Sequence, residues 1–222
     1  MLLPGAAEGG EFGDKERKIT MENYISINGE KICLTEEQVE EIKGYIGSRQ
    51  TKLADTAPGD VVSIGGHAFV VLEHREEGTA LIHKDLLREN EKFGENNNFA
   101  GSCVEEICNG FADEMEKAVG AENLILHTVD LTSDDGLKDY GTVQSRMSLL
   151  TADLYRKYVH ILDGAKLDAW WWLATPCSTP THKNDYWVLC VSPAGYFNCD
   201  GYVSSFGVRP FCILKSNIFV SK

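Results

Sequence analysis

The chain of 222 residues is short of positive charge: 21 Lys and Arg stand against 34 Asp and Glu, a formal net charge of −13. Binding nucleic acid requires Lys and Arg to neutralise phosphates, and no basic stripe is present, so nucleic acid is excluded as a partner. No run of about eighteen apolar residues occurs, the length a membrane-spanning helix needs, so membrane insertion is not expected. No secretory leader is recognised, and the seven cysteines, Cys33, Cys103, Cys108, Cys177, Cys190, Cys199 and Cys212, are odd in number without repeated C-x-x-C pairs. Together these absences predict a soluble protein made in the cytoplasm, its thiols free and packed in the core rather than joined in disulfides. There is no internal repeat.

The usual catalytic patterns are missing too. There is no G-x-S-x-G elbow, no H-E-x-x-H and no P-loop. His67, His74, His83, His127, His160 and His182 show no carboxylate partner by spacing, which reads as surface or satisfied core histidine. Cys177, His182, Cys190, Cys199 and Cys212 are numerous enough for zinc, but zinc knuckles place paired ligands only a few residues apart, and these are spaced at 5, 8, 9 and 13. The four aspartates within 130–139 lack the alternating ligands, central Gly and terminal Glu of a calcium loop, and read as a solvated acidic turn. Neither metal nor cofactor is expected.

What is present is regular. Residues 1–20 carry no periodicity and read as a flexible tail, with Met21 as a native start. Residues 21–52 read as an N-terminal hairpin and helix packed on the main domain: 24–34 is a hairpin centred on Asn28-Gly29, and Thr35-Glu36-Glu37-Gln38 is a capping box. Val39, Ile42 and Ile46 give that helix one apolar face and Gly47 stops it. From residue 53 to 222 a single domain is expected, since 43% hydrophobic content is enough for a sizeable core. Pro58-Gly59-Asp60 introduces strands at 61–64, 68–72 and 79–82, the first two joined by Gly65-Gly66. Asn96-Asn97-Asn98 reads as a loop. Ser102 caps a helix with Val104, Ile107, Cys108, Phe111, Met115 and Val119 on its apolar face and Gly120 at its end. A strand at 123–129, the polar loop Ser133-Asp134-Asp135-Gly136 and a helix capped by Thr151 follow.

All four tryptophans lie within 169–214. In an extended segment Trp170 and Trp172 point to one face and Trp171 to the other, so both faces must be covered and the strand is buried. Alternating runs at 186–191, 196–199 and 202–206 are separated by Ser192-Pro193-Ala194-Gly195 and by Asp200-Gly201, the latter a tight-turn signal. A last apolar strand is expected at 211–214. Between these punctuation points Tyr186, Trp187, Tyr196, Phe197, Tyr202 and Phe206 are interleaved with Asn184, Asp185, Asn198, Asp200, Ser204 and Ser205. Stiff aromatics mixed with small hydrogen-bonding residues are what a recognition surface uses. With Thr181 and His182 of the preceding turn, they form the expected ligand-binding surface. Alternation leaves open which of the aromatics face outward.

Trp171-Trp172-Leu173-Ala174-Thr175-Pro176, followed by Gly207-Val208-Arg209-Pro210, resembles the C-terminal signature of a domain common in bacteriophage and mobile-element proteins. Its usual form begins Trp-Trp-Leu-Arg-Ser-Pro, so Ala174 and Thr175 are departures, and a salt bridge made by that Arg has no counterpart here. Pro58-Gly59-Asp60 before Gly65-Gly66 resembles the opening of the same domain, so the likeness covers roughly 53–214. That domain is similar to the C-type-lectin-like fold of formylglycine-generating enzymes and of variable proteins diversified by retroelements. The resemblance implies an α+β, C-type-lectin-like domain with short antiparallel strands and two or three helices. Trp171, Trp172 and Arg209 would be scaffold and about 177–206 the variable region. It further implies a non-enzymatic ligand-binding protein of a diversity-generating retroelement that recognises a cell-surface protein or glycan receptor. Such a protein would be displayed on a phage tail or a cell surface, as a homo-oligomer or alone. The runs Tyr196-Phe197-Asn198-Cys199-Asp200 and Tyr202-Val203-Ser204-Ser205-Phe206 contain only residues reachable by adenine mutation of asparagine codons. Two other readings stay open: a cysteine-dependent oxidase using Cys199 or Cys212, and a structural virion or mobile-element subunit.

Overall fold

A computed structural model of the chain describes residues 24–27, 30–47 and 50–222. The expected tail, residues 1–20, and the Asn28-Gly29 turn lie outside the described residues. The chain divides into two units, 1–48 and 49–222. In the first, β1 (Tyr24–Ile27) pairs antiparallel with β2 (Glu30–Cys33), and α1 (Glu36–Gly47) follows. The capping box forms as expected: the Gln38 N–H donates to Thr35 Oγ1 at 3.2 Å and the Thr35 N–H to Gln38 Oε1 at 3.0 Å.

The second unit begins earlier than the expected boundary at 52/53, because β3 (Gln50–Lys52) is zipped to the C-terminal strand β17 (Phe219–Ser221). Between them, in order, come β4 (Val61–Ile64), β5 (His67–His74), β6 (Thr79–His83), β7 (Arg88–Lys92), α2 (Cys103–Val119), β8 (Leu124–Ile125), β9 (His127–Asp130), β10 (Thr142–Ser145) and β11 (Met147–Ser148). There follow α3 (Ala152–Leu162), β12 (Trp171–Pro176), β13 (Trp187–Val191), β14 (Phe197–Gly201), β15 (Ser205–Val208) and β16 (Phe211–Leu214). The second unit is α+β, with α2 and α3 against a curled, largely antiparallel sheet system. One sheet runs β11-β16-β6-β5-β4-β17-β3, with β8 also on β16; a second runs β14-β13-β12-β15-β7. Among the described residues only the β12–β15 pairing is parallel. No helix among them is long and apolar enough to cross a membrane.

Local chemistry explains these elements. Gly65 and Gly66 take φ of 59° and 85°, the geometry the β4–β5 turn demands and other residues resist. Ser102 Oγ accepts the Glu105 N–H to start α2, and Thr151 Oγ1 accepts that of Leu154 to start α3. The tryptophan alternation is as expected. Trp172 and Ala174 point into a core with Phe69, Leu81, Val188, Cys190, Val208 and the buried face of α2. Trp171 and Leu173 point into a second core with Leu189, Val191, Phe211 and the Tyr155, Tyr158 and Leu162 face of α3. The central strands of the second sheet are therefore covered on both sides, which is why β12 and β13 are apolar almost throughout.

Two expectations are corrected. Asp200-Gly201 is not a hairpin turn: both residues belong to β14, with Gly201 opposite Trp187. The chain turns at 202–204 and passes from the edge of the sheet, beyond β13 and β12, to β15. Gly201 has the negative-side φ of an ordinary strand; a Cβ there would lie 2.4 Å from the Tyr186 ring, so close packing rather than a turn requires glycine. The strand expected at 123–129 is broken at Leu126, and its halves β8 and β9 pair with different strands.

Candidate functional site

Trp172 is fully buried and its Nε1 donates to the Glu91 carbonyl of β7 at 2.9 Å. Trp171 lies under the Arg209 guanidinium, 5.3 Å from ring centroid to Cζ. Arg209, 1% exposed, donates to the carbonyls of His83, Lys84 and Ala165, tying β6 and the segment after α3 to the Gly207-Val208-Arg209-Pro210 corner. Burial without a carboxylate contact lowers its pKa to about 10. The two departures from the signature are accommodated: Ala174 is buried in the α2-side core, and Thr175 Oγ1 accepts the Ala152 N–H at 2.9 Å, fixing the start of α3.

The aromatic residues of the expected surface separate into two groups at opposite ends of the β13–β14 hairpin. At the turn end, Tyr196 stands edge-on to Trp170 at 6.2 Å, and Trp170 stacks on Phe206 at 5.7 Å. Tyr196 is 58% exposed while Trp170 and Phe206 are half-buried, so the three rings step down from solvent to Trp172, which Phe206 touches at 4.6 Å. Trp170 was absent from the sequence-derived set, although its shared face with Trp172 was the available signal. At the other end Tyr186 meets Trp187 at 5.0 Å and Tyr202 at 5.1 Å, with Tyr186 and Trp187 each about two-fifths exposed and Tyr202 half-buried on the α2-side core. Asn198 and Ser205 are exposed; Asp200 and Ser204 are half-buried and bonded to each other, Oδ1 to Oγ at 2.6 Å. Phe197 is turned away: it packs on Tyr155 and under Arg156 on the α3 side.

Thr181, His182 and Asn184 are not joined to these rings by any described contact. They sit in the loop between β12 and β13, which the 133–139 segment braces from below. Asp135 accepts from Ser133 Oγ, from Ser178 Oγ and from His182 Nδ1 at 2.9 Å; these hydroxyls and the imidazole hold its carboxyl well below the usual range. Asp139 accepts from Thr179 Oγ1 and the Thr181 N–H. The acidic turn is thus a bracket rather than a freely solvated loop. Asn97, fully buried, adds the same kind of support by donating to the carbonyls of Ser178 and Trp187 and accepting from Tyr140. Two histidines do meet carboxylates, His182 at Asp135 and His67 at Glu114 at 3.1 Å; both pairings join residues 47 apart in sequence, which is why spacing shows neither. Among the described residues no three His, Cys, Asp or Glu side chains gather as a metal ion would require.

The cysteines depart from expectation as well. Cys177 and Cys199 form a disulfide, with Cα atoms 6.6 Å apart. Cys177 follows β12 and Cys199 lies in β14, so the bond straps two non-adjacent strands across β13 on the α3 side. No local spacing announces such a pairing. Cys199 is thereby taken out of any pair with Cys212, which is fully buried in the other sheet, its thiol pushed up to about 12 by burial. Cys33, Cys103, Cys108, Cys190 and Cys212 are free.

Fold and site together define a two-core α+β domain presenting partly exposed aromatics from a strapped hairpin. Residues 77–216 match the family described as a domain of unknown function, DUF6273, and the chain belongs to that family. No curated protein matches it. No solved structure matches it.

Proposed function

We propose that this chain is a recognition protein: a C-type-lectin-like domain that displays its C-terminal hairpin to a protein or glycan receptor as the variable protein of a diversity-generating retroelement. The observation that carries the reading is the separation of roles along β12–β16. Trp171, Trp172 and Arg209 are buried, Trp172 and Arg209 hydrogen-bonded to main-chain carbonyls and Trp171 packed under the Arg209 guanidinium, while Tyr186, Trp187, Tyr196, Asn198 and Ser205, between the two signature segments, are exposed. Side chains free of the core can be exchanged without unfolding the domain, which variation at a binding surface requires. Rings that are 40–58% exposed keep roughly half of the 1.5–3 kcal/mol that covering a fully exposed large side chain provides, so several of them together with polar contacts would be needed for micromolar binding after association costs. The Cys177–Cys199 bond holds the hairpin to β12, limiting the entropy lost on binding, and disulfides persist in oxidising surroundings, which supports display on a virion or cell surface.

The test is binding of the purified chain to immobilised bacterial surface proteins and cell-wall polysaccharides. Simultaneous Trp187→Ser and Tyr196→Ser should abolish capture yet leave the domain folded, at a cost of about 0.5–1.5 kcal/mol for each lost ring contact. Capture that persists, or a variant that unfolds, would sink the reading. At the DNA level, a template repeat differing at adenines should accompany codons 177–206; codons there that adenine mutation cannot produce would remove the retroelement part.

A further inference from the structure

A groove of about 690 Å³ lies on a different part of the domain, between β9 and the start of α3. Three observations bear on its occupant. First, β9 is paired on one side only: His127 to Asp130 face Ser145 to Thr142 of β10, and among the described residues no other main-chain bond engages 127–130. Antiparallel pairing leaves the N–H and C=O groups of alternate residues pointing away from the partner. Second, it is the edge of β9, not a face, that borders the groove. A face would contribute every second residue, whereas of the four β9 residues the neighbours His127 and Thr128 both line it, as does Asp130, opposite Thr151 and residues 152–154 of α3. Third, the groove is acidic. Glu77, Asp130, Asp134 and Asp153 line it against Arg75 and Arg156, and each arginine already has carboxylates on two sides: Glu73 and Glu77 for the first, Asp134 and Asp153 for the second. Leu126, 58% exposed, adds an apolar contact.

We propose that this groove receives an extended polypeptide segment carrying Lys or Arg side chains, which adds to the free edge of β9 as a further strand. An exposed edge is a template for strand addition, in which main-chain bonds give affinity and flanking side chains give specificity. The four residues of β9 offer roughly 13 Å of edge at about 3.3 Å per residue. Basic side chains of the incoming strand meet Asp130 and Asp153, whereas an acidic strand meets repulsion.

The experiment titrates the full isotope-labelled chain with an acetylated, amidated hexapeptide alternating Val and Lys, followed by amide chemical shifts. Saturable shifts confined to 125–134 and 151–156 are expected. N-methylation of alternate peptide residues should weaken binding at least about tenfold on one of the two phases, since it removes the ladder donors. The peptide alternating Val and Glu should give no shifts, and Asp130→Asn with Asp153→Asn should weaken the lysine peptide severalfold at low salt. Equal binding of both N-methylated peptides, shifts mapping elsewhere, or no shifts at millimolar peptide would overturn the proposal. So would concentration-dependent shifts at 127–130 without peptide, which would make the groove an interface between copies of the chain.

Discussion

Trp172 and Arg209 show what a single residue is worth here. Trp172→Ala opens a hole between the sheets and strands the Glu91 carbonyl, so a loss of about 3–5 kcal/mol is expected in urea denaturation. Arg209→Lys keeps the charge but replaces a planar fork that reaches three carbonyls with a single ammonium, and should cost on the order of 1–3 kcal/mol. If Arg209→Lys is neutral, the three carbonyl bonds do not hold that corner. Both residues were legible in the sequence because a tryptophan run and a Gly-Val-Arg-Pro corner are rare. Asn97 was not: in an Asn triplet it reads as a solvent-facing loop residue, and only the approach of Ser178, Trp187 and Tyr140 from distant parts of the chain makes it the centre of a buried bracket.

At the scale of elements, the β13–β14 hairpin, its Gly195 turn and the helix caps were readable from local rules, and the strap across it was not. Cys199→Ser opens a loop whose ends are 22 residues apart, for which chain entropy predicts a loss of roughly 3 kcal/mol. The parent under reducing agent should fall by a similar amount, while the variant should be indifferent to reductant; a variant as stable as the oxidised parent would show that the strap contributes nothing. Asp200-Gly201 misleads because a local turn signal is outweighed by sheet pairing, with Gly201 serving the Tyr186 ring. Gly201→Ala should push that ring outward and cost about 0.5–1.5 kcal/mol, the worth of an aromatic contact such as that with Tyr202. In a Tyr186→Ser background the same change should cost little, and a double-mutant cycle reads the difference. Additive costs would mean that the ring is not what constrains residue 201.

The whole domain is closed by pairings between remote segments, β3 with β17 and β6 with β16, which no window of sequence displays. Its acid response should be set by groups that tertiary folding pairs or buries. Glu73 of β5 accepts from Lys157, Tyr158 and Arg75, chiefly the Lys157 ammonium, and its pKa falls from 4.5 to about 2. Its contribution is fully present above about pH 4.5 and is lost as pH falls through about 2, discounted because Lys157 and Glu73 are partly in solvent. His127 governs a higher window. Burial lowers its pKa from 6.5 to about 4, with Nε2 held by Ser148 Oγ and Nδ1 sealed without a hydrogen bond. Between these two values the unfolded chain takes up a proton that the folded one refuses, so stability must decline as pH falls from 6.5 towards 4. His127→Phe keeps a ring beside Phe211 but cannot titrate. It should be less stable than the parent at pH 7, by about 1 kcal/mol for the unpaired Ser148 hydroxyl, and the gap should close as pH falls through the His127 window. Denaturant midpoints measured from pH 7 to pH 4 check this, and parallel curves for parent and variant would show that His127 is not what couples this fold to acid.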